Sequence, residues 1–206
     1  MKNMHYNSVK ITGRLVDGLS YSHASEKTVY FKGTLAVQRT SGTVDYLPVV
    51  ASERVLADLP DMTDKLIAVT GQISTCNRTV DGKNRLLVEL FVYHIDVLES
   101  GEHDNNVTLR GVVCKTPVFR VTPGGREIAD VMLAVNRPTG GRASYIPCIL
   151  WGSDARNVKD VPVGSLLEVC GRFQSRDYEK KDEDTGLYRM RTAYEVSVSK
   201  VVMEAE

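Results

Sequence analysis

No stretch of this chain approaches the roughly 18 consecutive apolar residues that a membrane helix requires. The start, Met1-Lys2-Asn3-Met4-His5-Tyr6, has no apolar core of the kind a signal peptide carries. The four cysteines (Cys76, Cys114, Cys148, Cys170) form no C-x-x-C pair, so they read as reduced, partly buried thiols of a cytoplasmic protein. The four histidines (His5, His23, His94, His103) are as scattered, which argues against a zinc centre or any other metal. Neither a G-x-S-x-G elbow, a Walker loop nor a glycine-rich dinucleotide fingerprint is present. No histidine stands in a repeated position with a carboxylate and a nucleophile, so the sequence predicts neither catalysis nor a cofactor. An excess of charge is missing too: 26 basic residues balance 26 acidic ones. A uniformly basic nucleic-acid binder is thereby excluded, though a zero sum hides local patches.

What the chain does have is itself, twice. Val9-Lys10-Ile11-Thr12-Gly13 returns as Val107-Thr108-Leu109-Arg110-Gly111, and Leu35-Ala36-Val37-Gln38-Arg39 as Leu133-Ala134-Val135-Asn136-Arg137. Tyr46-Leu47-Pro48-Val49-Val50 returns as Tyr145-Ile146-Pro147-Cys148-Ile149, and Val69-Thr70-Gly71-Gln72 as Val169-Cys170-Gly171-Arg172. Two copies of one small domain are the working unit, expected over residues 1–100 and 104–206. Shared positions are then candidates for architecture and differing ones for function.

Both copies read as all-β. Val29 to Val37 and Ile128 to Val135 are β-branched, apolar runs. Turn signals separate such runs, among them Asp17-Gly18, Ser41-Gly42, Asp81-Gly82, Gly140-Gly141 and Thr122-Pro123-Gly124-Gly125, where Pro-Gly predicts a type II turn. A short helix is expected near Ser52–Leu59 and Ser153–Lys159, each stopped by a proline, Pro60 or Pro162. A fourth strand follows at Leu66–Thr75 and Leu166–Arg176, and a fifth at Leu86–Leu98 and Tyr188–Met203. Three strands, a short helix and two more strands is the order of the OB-fold, a five-stranded Greek-key barrel. The joint Glu99-Ser100-Gly101-Glu102-His103-Asp104-Asn105 is short and polar.

Alternation divides the fourth strand of copy two. Leu167, Val169, Gly171 and Phe173 form a core face; Cys170, Arg172, Gln174, Arg176 and Tyr178 form an outer one. Guanidiniums beside a ring suit phosphate contact and base stacking. Copy one has Thr70, Gln72, Ser74, Cys76 and Arg78 on that outer face. In the third strand Tyr145 and Trp151 share a face, and their counterparts are Tyr46 and Ser52. Each residue also admits a plainer reading. Trp151 suits a core, although its replacement by serine in copy one argues against that, because a core rarely tolerates so large an unmatched volume change. Tyr145 and Tyr46 suit packing, Arg172 and Arg176 a solvated strand, and Tyr178 a rim. Phe119 fits under the turn, and Asp182 to Asp184 read as a solvated loop tip. From Arg110 to Arg142, six basic residues stand against only Glu127 and Asp130.

Several of these segments resemble the bacterial single-stranded DNA-binding protein family. They are Asn106-Val107-Thr108-Leu109-Arg110-Gly111, Arg120 to Gly125, Leu133 to Arg137, Tyr145 to Gly152, and Gly171 to Tyr178. Copy one is similar more loosely, mainly at Gly13, Leu35-Ala36-Val37, Gly71 and Val88 to Glu99. The resemblance implies OB-folds that wrap single-stranded DNA without sequence preference in replication, repair and recombination. It places Tyr145, Trp151 and Tyr178 on base-stacking positions and Arg120 on a basic contact position. A further ring expected after Asn136-Arg137 is replaced by Pro138-Thr139. Joined to the alternation argument, it gives Arg120, Arg137, Tyr145, Trp151, Arg172, Arg176 and Tyr178 as binding residues, with Arg110, Arg126, Tyr46 and Arg39 as weaker ones. Copy one is expected to be a degenerate, mainly structural barrel. Family members with two domains per chain imply a homodimer carrying four barrels. The family's acidic tip with its terminal phenylalanine is expected to be absent, since the chain stops at Val201-Val202-Met203-Glu204-Ala205-Glu206. The alternatives are a primosome-type accessory or adaptor protein and, more remotely, a nuclease.

Overall fold

A computed structural model describes residues 6–25, 27–80, 82–137, 141–181 and 186–203. The expected turns at Asp81 and Gly140, the substitution Pro138-Thr139, the acidic run 182–184 and the last three residues therefore lie wholly or partly outside the described residues.

The N-terminal copy comprises β1 (Tyr6–Leu15), β2 (Ser20–Ser25), β3 (Thr28–Gln38), β4 (Val44–Ser52), α1 (Glu53–Leu56), β5 (Leu66–Val80) and β6 (Lys83–Leu98). The C-terminal copy comprises β7 (Asp104–Val113), β8 (Val118–Val121), β9 (Glu127–Asn136), β10 (Ala143–Trp151), α2 (Gly152–Val158), β11 (Leu166–Lys181) and β12 (Tyr188–Met203). Each closes as an OB barrel: β1 pairs with both β3 and β5, and β4 with β6 in parallel. In the same way β7 pairs with β9 and β11, and β10 with β12 in parallel. The inner faces supply a core that includes Leu35, Leu47, Ile73 and Leu90 in one barrel and Leu133, Ile146, Leu150 and Phe173 in the other.

Three details depart from expectation. Each barrel carries an extra edge strand, β2 or β8, hairpinned to β3 or β9. Helix α1 is shorter than expected, ending at Leu56, well before Pro60, whereas α2 keeps its expected length and starts one residue earlier, at Gly152. The Pro123-Gly124 turn is not type II. Gly125, not Gly124, takes the left-handed conformation (φ 76), and its amide bonds Thr122 O at 2.8 Å. A type I turn followed by a left-handed residue matches the twist of the flanking strands, as three-residue hairpin loops require.

The two barrels join edge to edge through β1 and β7 into a 12-stranded sheet. In that seam Val9 faces Val107, its own counterpart in the repeat, and Tyr6 faces Arg110. Such self-pairing is the signature of a two-fold interface, here built within one chain. A second junction uses the long β5–β6 and β11–β12 arms. Asp45, fully buried, accepts a hydrogen bond from the Ser175 amide at 2.8 Å. Arg39 grips Asp45 through two bonds (2.7 and 2.6 Å) and reaches Ser175 O at 3.2 Å. In the mirror position Arg137 donates to Thr75 O and Ser144 Oγ, and the Tyr145 amide to Thr75 Oγ1 at 2.7 Å.

Shared glycines hold the skeleton. A Cβ on Gly71 would lie 2.1 Å from Phe91 O, and one on Gly171 2.2 Å from Ser197 O. Both sit where a bulge shifts the strand register, between Thr70 and Gly71 and between Cys170 and Gly171. Two asparagines missed by the sequence reading do a related job. Asn7 bonds both backbone groups of Ile73 (2.9 and 3.0 Å), and Asn105 those of Phe173 (2.7 and 2.8 Å). Their repeated placement was the available signal.

Candidate nucleic-acid interface

The C-terminal barrel presents one outer face formed by β8 to β12. Strand register places the side chains. Arg172 stands opposite Ser197, Gln174 opposite Glu195, Arg176 opposite Ala193 and Tyr178 opposite Arg191. On β10 the same parity exposes Tyr145 (47%) and Trp151 (38%), with Pro147 between them. Trp151 and Tyr178 therefore share a face, at its opposite ends. The Trp151 indole donates to Ser197 Oγ at 3.3 Å and keeps part of its ring in solvent.

A polar chain crosses this face. Arg172 donates to Gln174 Oε1 (3.2 Å), Gln174 Nε2 to Glu195 Oε1 (2.9 Å), and Arg176 to both Glu195 oxygens at 3.1 Å. The hydrogen bond to Glu195 pushes the Arg176 pKa up, and its guanidinium carbon lies 5.8 Å from the Tyr178 ring centre. Burial, then the nearby Arg39 charge, pulls Arg172 down. Gln174 is the exception to the expected outer set: it is buried (3%), because satisfying Glu195 draws its amide inward.

The remaining candidates are dispersed. Arg120 pairs with Asp130 at 3.0 Å on the exposed β8–β9 edge. Arg126 is exposed at the β8–β9 turn. Arg110 lies on β7 opposite Glu168, at the end of β11 remote from Tyr178. Arg39 and Arg137 occupy the barrel junctions, and Asp45 already neutralises Arg39. Tyr46 is exposed, although its amide bonds Ser175 Oγ. Phe119 packs against the core as expected.

Between the β5–β6 and β11–β12 arms runs an open cleft of about 810 Å³. Tyr178, Lys180 and Arg191 line it from one arm, Arg85 and Glu89 from the other, with Pro48 and Pro147 at its base. Lys180 and Arg191 were missed by the sequence reading, although the register of the β11–β12 hairpin sets Arg191 directly across from Tyr178. Among the described residues no cluster of three His, Cys, Asp or Glu is placed to hold a metal. Nor is any described helix long and apolar enough to cross a membrane. Cys76 is exposed, against the expectation of partial burial, since it stands on the solvent side of β5; Cys148 is buried, and desolvation pushes its thiol far up.

Residues 104–204 match the model of the single-strand binding protein family. Single-stranded DNA-binding protein 3 of Listeria innocua is 42% identical over 84 residues, which are 38% of this chain and 52% of that protein. Single-stranded DNA-binding protein A of Bacillus subtilis is 42% identical over 83 residues, 37% of this chain and 48% of that one. The chain spans about half the length of the curated relatives it matches. The wild-type single-stranded DNA binding protein from Thermus aquaticus superposes with a TM-score of 0.78 at 21% identity, covering 99% of this chain and 95% of that one. This chain is thus similar to the single-strand binding family by sequence in its C-terminal barrel, and to a solved single-stranded DNA binding protein by fold along nearly its whole length.

Proposed function

We propose that the chain binds single-stranded DNA without sequence preference, principally on the outer face of the C-terminal barrel, and shields it during replication, repair and recombination. The observation that carries this reading is the shared face of Tyr145, Trp151, Arg176 and Tyr178, in the half that matches the single-strand binding family. A single strand exposes its base faces, and each stacked base contributes about 1–3 kcal/mol whatever its identity. Tyr145, Trp151 and Tyr178 take bases. Arg172, Arg176, Lys180 and Arg191 attract phosphates, with Arg120 and Arg126 at the edge. The action is passive: no bond is made or broken. Two chains pairing would bring four barrels to one strand; mass in solution, with and without oligonucleotide, checks that.

Titration with poly-dT while following Trp151 fluorescence tests the reading. Quenching is expected, with an affinity that falls as salt rises at a slope of about −0.7 per phosphate neutralised. Absence of quenching, or unchanged affinity after Trp151→Ala with Tyr178→Ala, rejects it.

A further inference from the structure

Ser52 stands where the C-terminal barrel has Trp151, yet rings gather around it from the neighbouring strands. Tyr30 lies opposite Ser52, as Ile128 lies opposite Trp151. Phe91 takes the place of Ser197, each pairing with the residue after the bulge glycine, Gln72 or Arg172. The small Ser52 lets rings from the two flanking strands lean over β4 and meet, with Tyr30 and Phe91 centroids 5.9 Å apart. The row continues outward on both sides: His23 stacks on Tyr30 at 4.8 Å, and Tyr93 meets Phe91 edge-on at 5.5 Å. His23 and Tyr93 are exposed, and Tyr30 and Phe91 half-buried.

Charge differs in the same direction. Asp130, which neutralises Arg120 in the C-terminal barrel, corresponds to Lys32, which makes no ion pair among the described residues. At the far end of the row, Arg137 of the other barrel is close enough for its charge to oppose the effect of burial on the Tyr93 hydroxyl. Unlike Arg39, Arg137 bonds only neutral groups among the described residues, Ser144 Oγ and Thr75 O.

We propose that His23, Tyr30, Phe91 and Tyr93, flanked by Lys32 and Arg137, form a second track for a single-stranded polynucleotide on the N-terminal barrel, so that one strand runs over both barrels. This rests on the binding reading above. Rings offered at successive positions, with Lys32 two residues from Tyr30 on β3 and level with Phe91, and Arg137 toward the Tyr93 end, suit alternating bases and phosphates, whereas a protein-binding apolar patch has no use for the cations.

The test uses the full chain with dT oligomers, one short enough for a single barrel and one spanning both, and with rU oligomers as the RNA arm. His23→Ala with Tyr93→Ala alters exposed rings and spares the buried ones. The variant is expected to bind the long oligomer about 5-fold or more weakly, to occlude fewer nucleotides per chain, and to leave Trp151 quenching by the short oligomer unchanged. Lys32→Asp, which copies the other barrel, is expected to flatten the salt slope by about 0.7. Wild-type affinity and occluded length in both variants would overturn the track while leaving the C-terminal site intact. A double variant that changes only the mass of the protein in solution would also overturn it, marking the rings as a self-association surface. Failure of any oligomer to quench Trp151 in the wild type would reject the binding reading and the track together.

Discussion

In the C-terminal barrel, Trp151 bonds Ser197 and lies beside Ile128; in the N-terminal barrel the same three places hold Ser52, Phe91 and Tyr30. One large ring between two smaller neighbours has been exchanged for one small residue between two rings. Volume is conserved over the trio though at no single position, which is how packed surfaces tolerate change. Around this exchange the skeleton is held constant. Both barrels keep the bulge glycine, the asparagine clamp and the parallel closure. The lesson is that a substitution between copies marks function only after its neighbours have been compared as well.

The largest effects are expected where the barrels agree. Gly71→Ala and Gly171→Ala each push a methyl group into a carbonyl oxygen of the next strand, and each should cost roughly 3 kcal/mol or more in urea unfolding. A large cost at only one of them would break the equivalence of the two skeletons. Next come the junctions, where the copies differ in charge. Asp45→Ser gives the first junction the residue of the second, removes the charge that neutralises Arg39 and takes the carboxylate acceptor from the Ser175 amide. It should cost about 2–3 kcal/mol, since Arg39 retains some access to water. The ring exchange can be transplanted. Trp151→Ser alone should cost about 1–2 kcal/mol, and adding Ile128→Tyr and Ser197→Phe should recover most of it; strict additivity of the three changes would show that the trio is not coupled.

The topology was legible in the repeat and the alternation, because an OB barrel needs each strand to show one apolar face, and both copies do. Parity set Tyr145 with Trp151 on one strand and Arg176 with Tyr178 on another; relating the two strands needed the register through β12. Other features depended on register. The bulges at Gly71 and Gly171 are invisible to alternation, the burial of Gln174 follows from its bond to Glu195, and the pairing of Arg191 with Tyr178 follows from the hairpin register. Arg137 read as an open cation because Thr75, whose carbonyl it bonds, comes from the other copy, and Arg39 did because the Asp45 that holds it lies across the β3–β4 hairpin, where alternation gives no pairing. The His23–Tyr93 ring row escaped because its members sit on three strands and meet only across Ser52.

A subtler difference lies in the carboxylate of the C-terminal face. Glu195 holds Arg176 by two bonds, whereas its counterpart Glu89 has Cys76 where Arg176 would be. Glu195→Gln should loosen Arg176 toward phosphate. Affinity for dT oligomers is expected to rise a few-fold, with a salt slope steeper by about 0.7, measured by fluorescence titration at several salt concentrations. Unchanged affinity would mean that Arg176 serves the barrel and not the strand.

The most direct measurement is photo-crosslinking of a dT oligomer to the intact chain, with the attachment sites mapped by mass spectrometry. Base stacking on the C-terminal outer face predicts adducts at Trp151 and Tyr178, lost under high salt. Adducts confined to residues away from β10, β11 and β12, with none on those two rings, would contradict it.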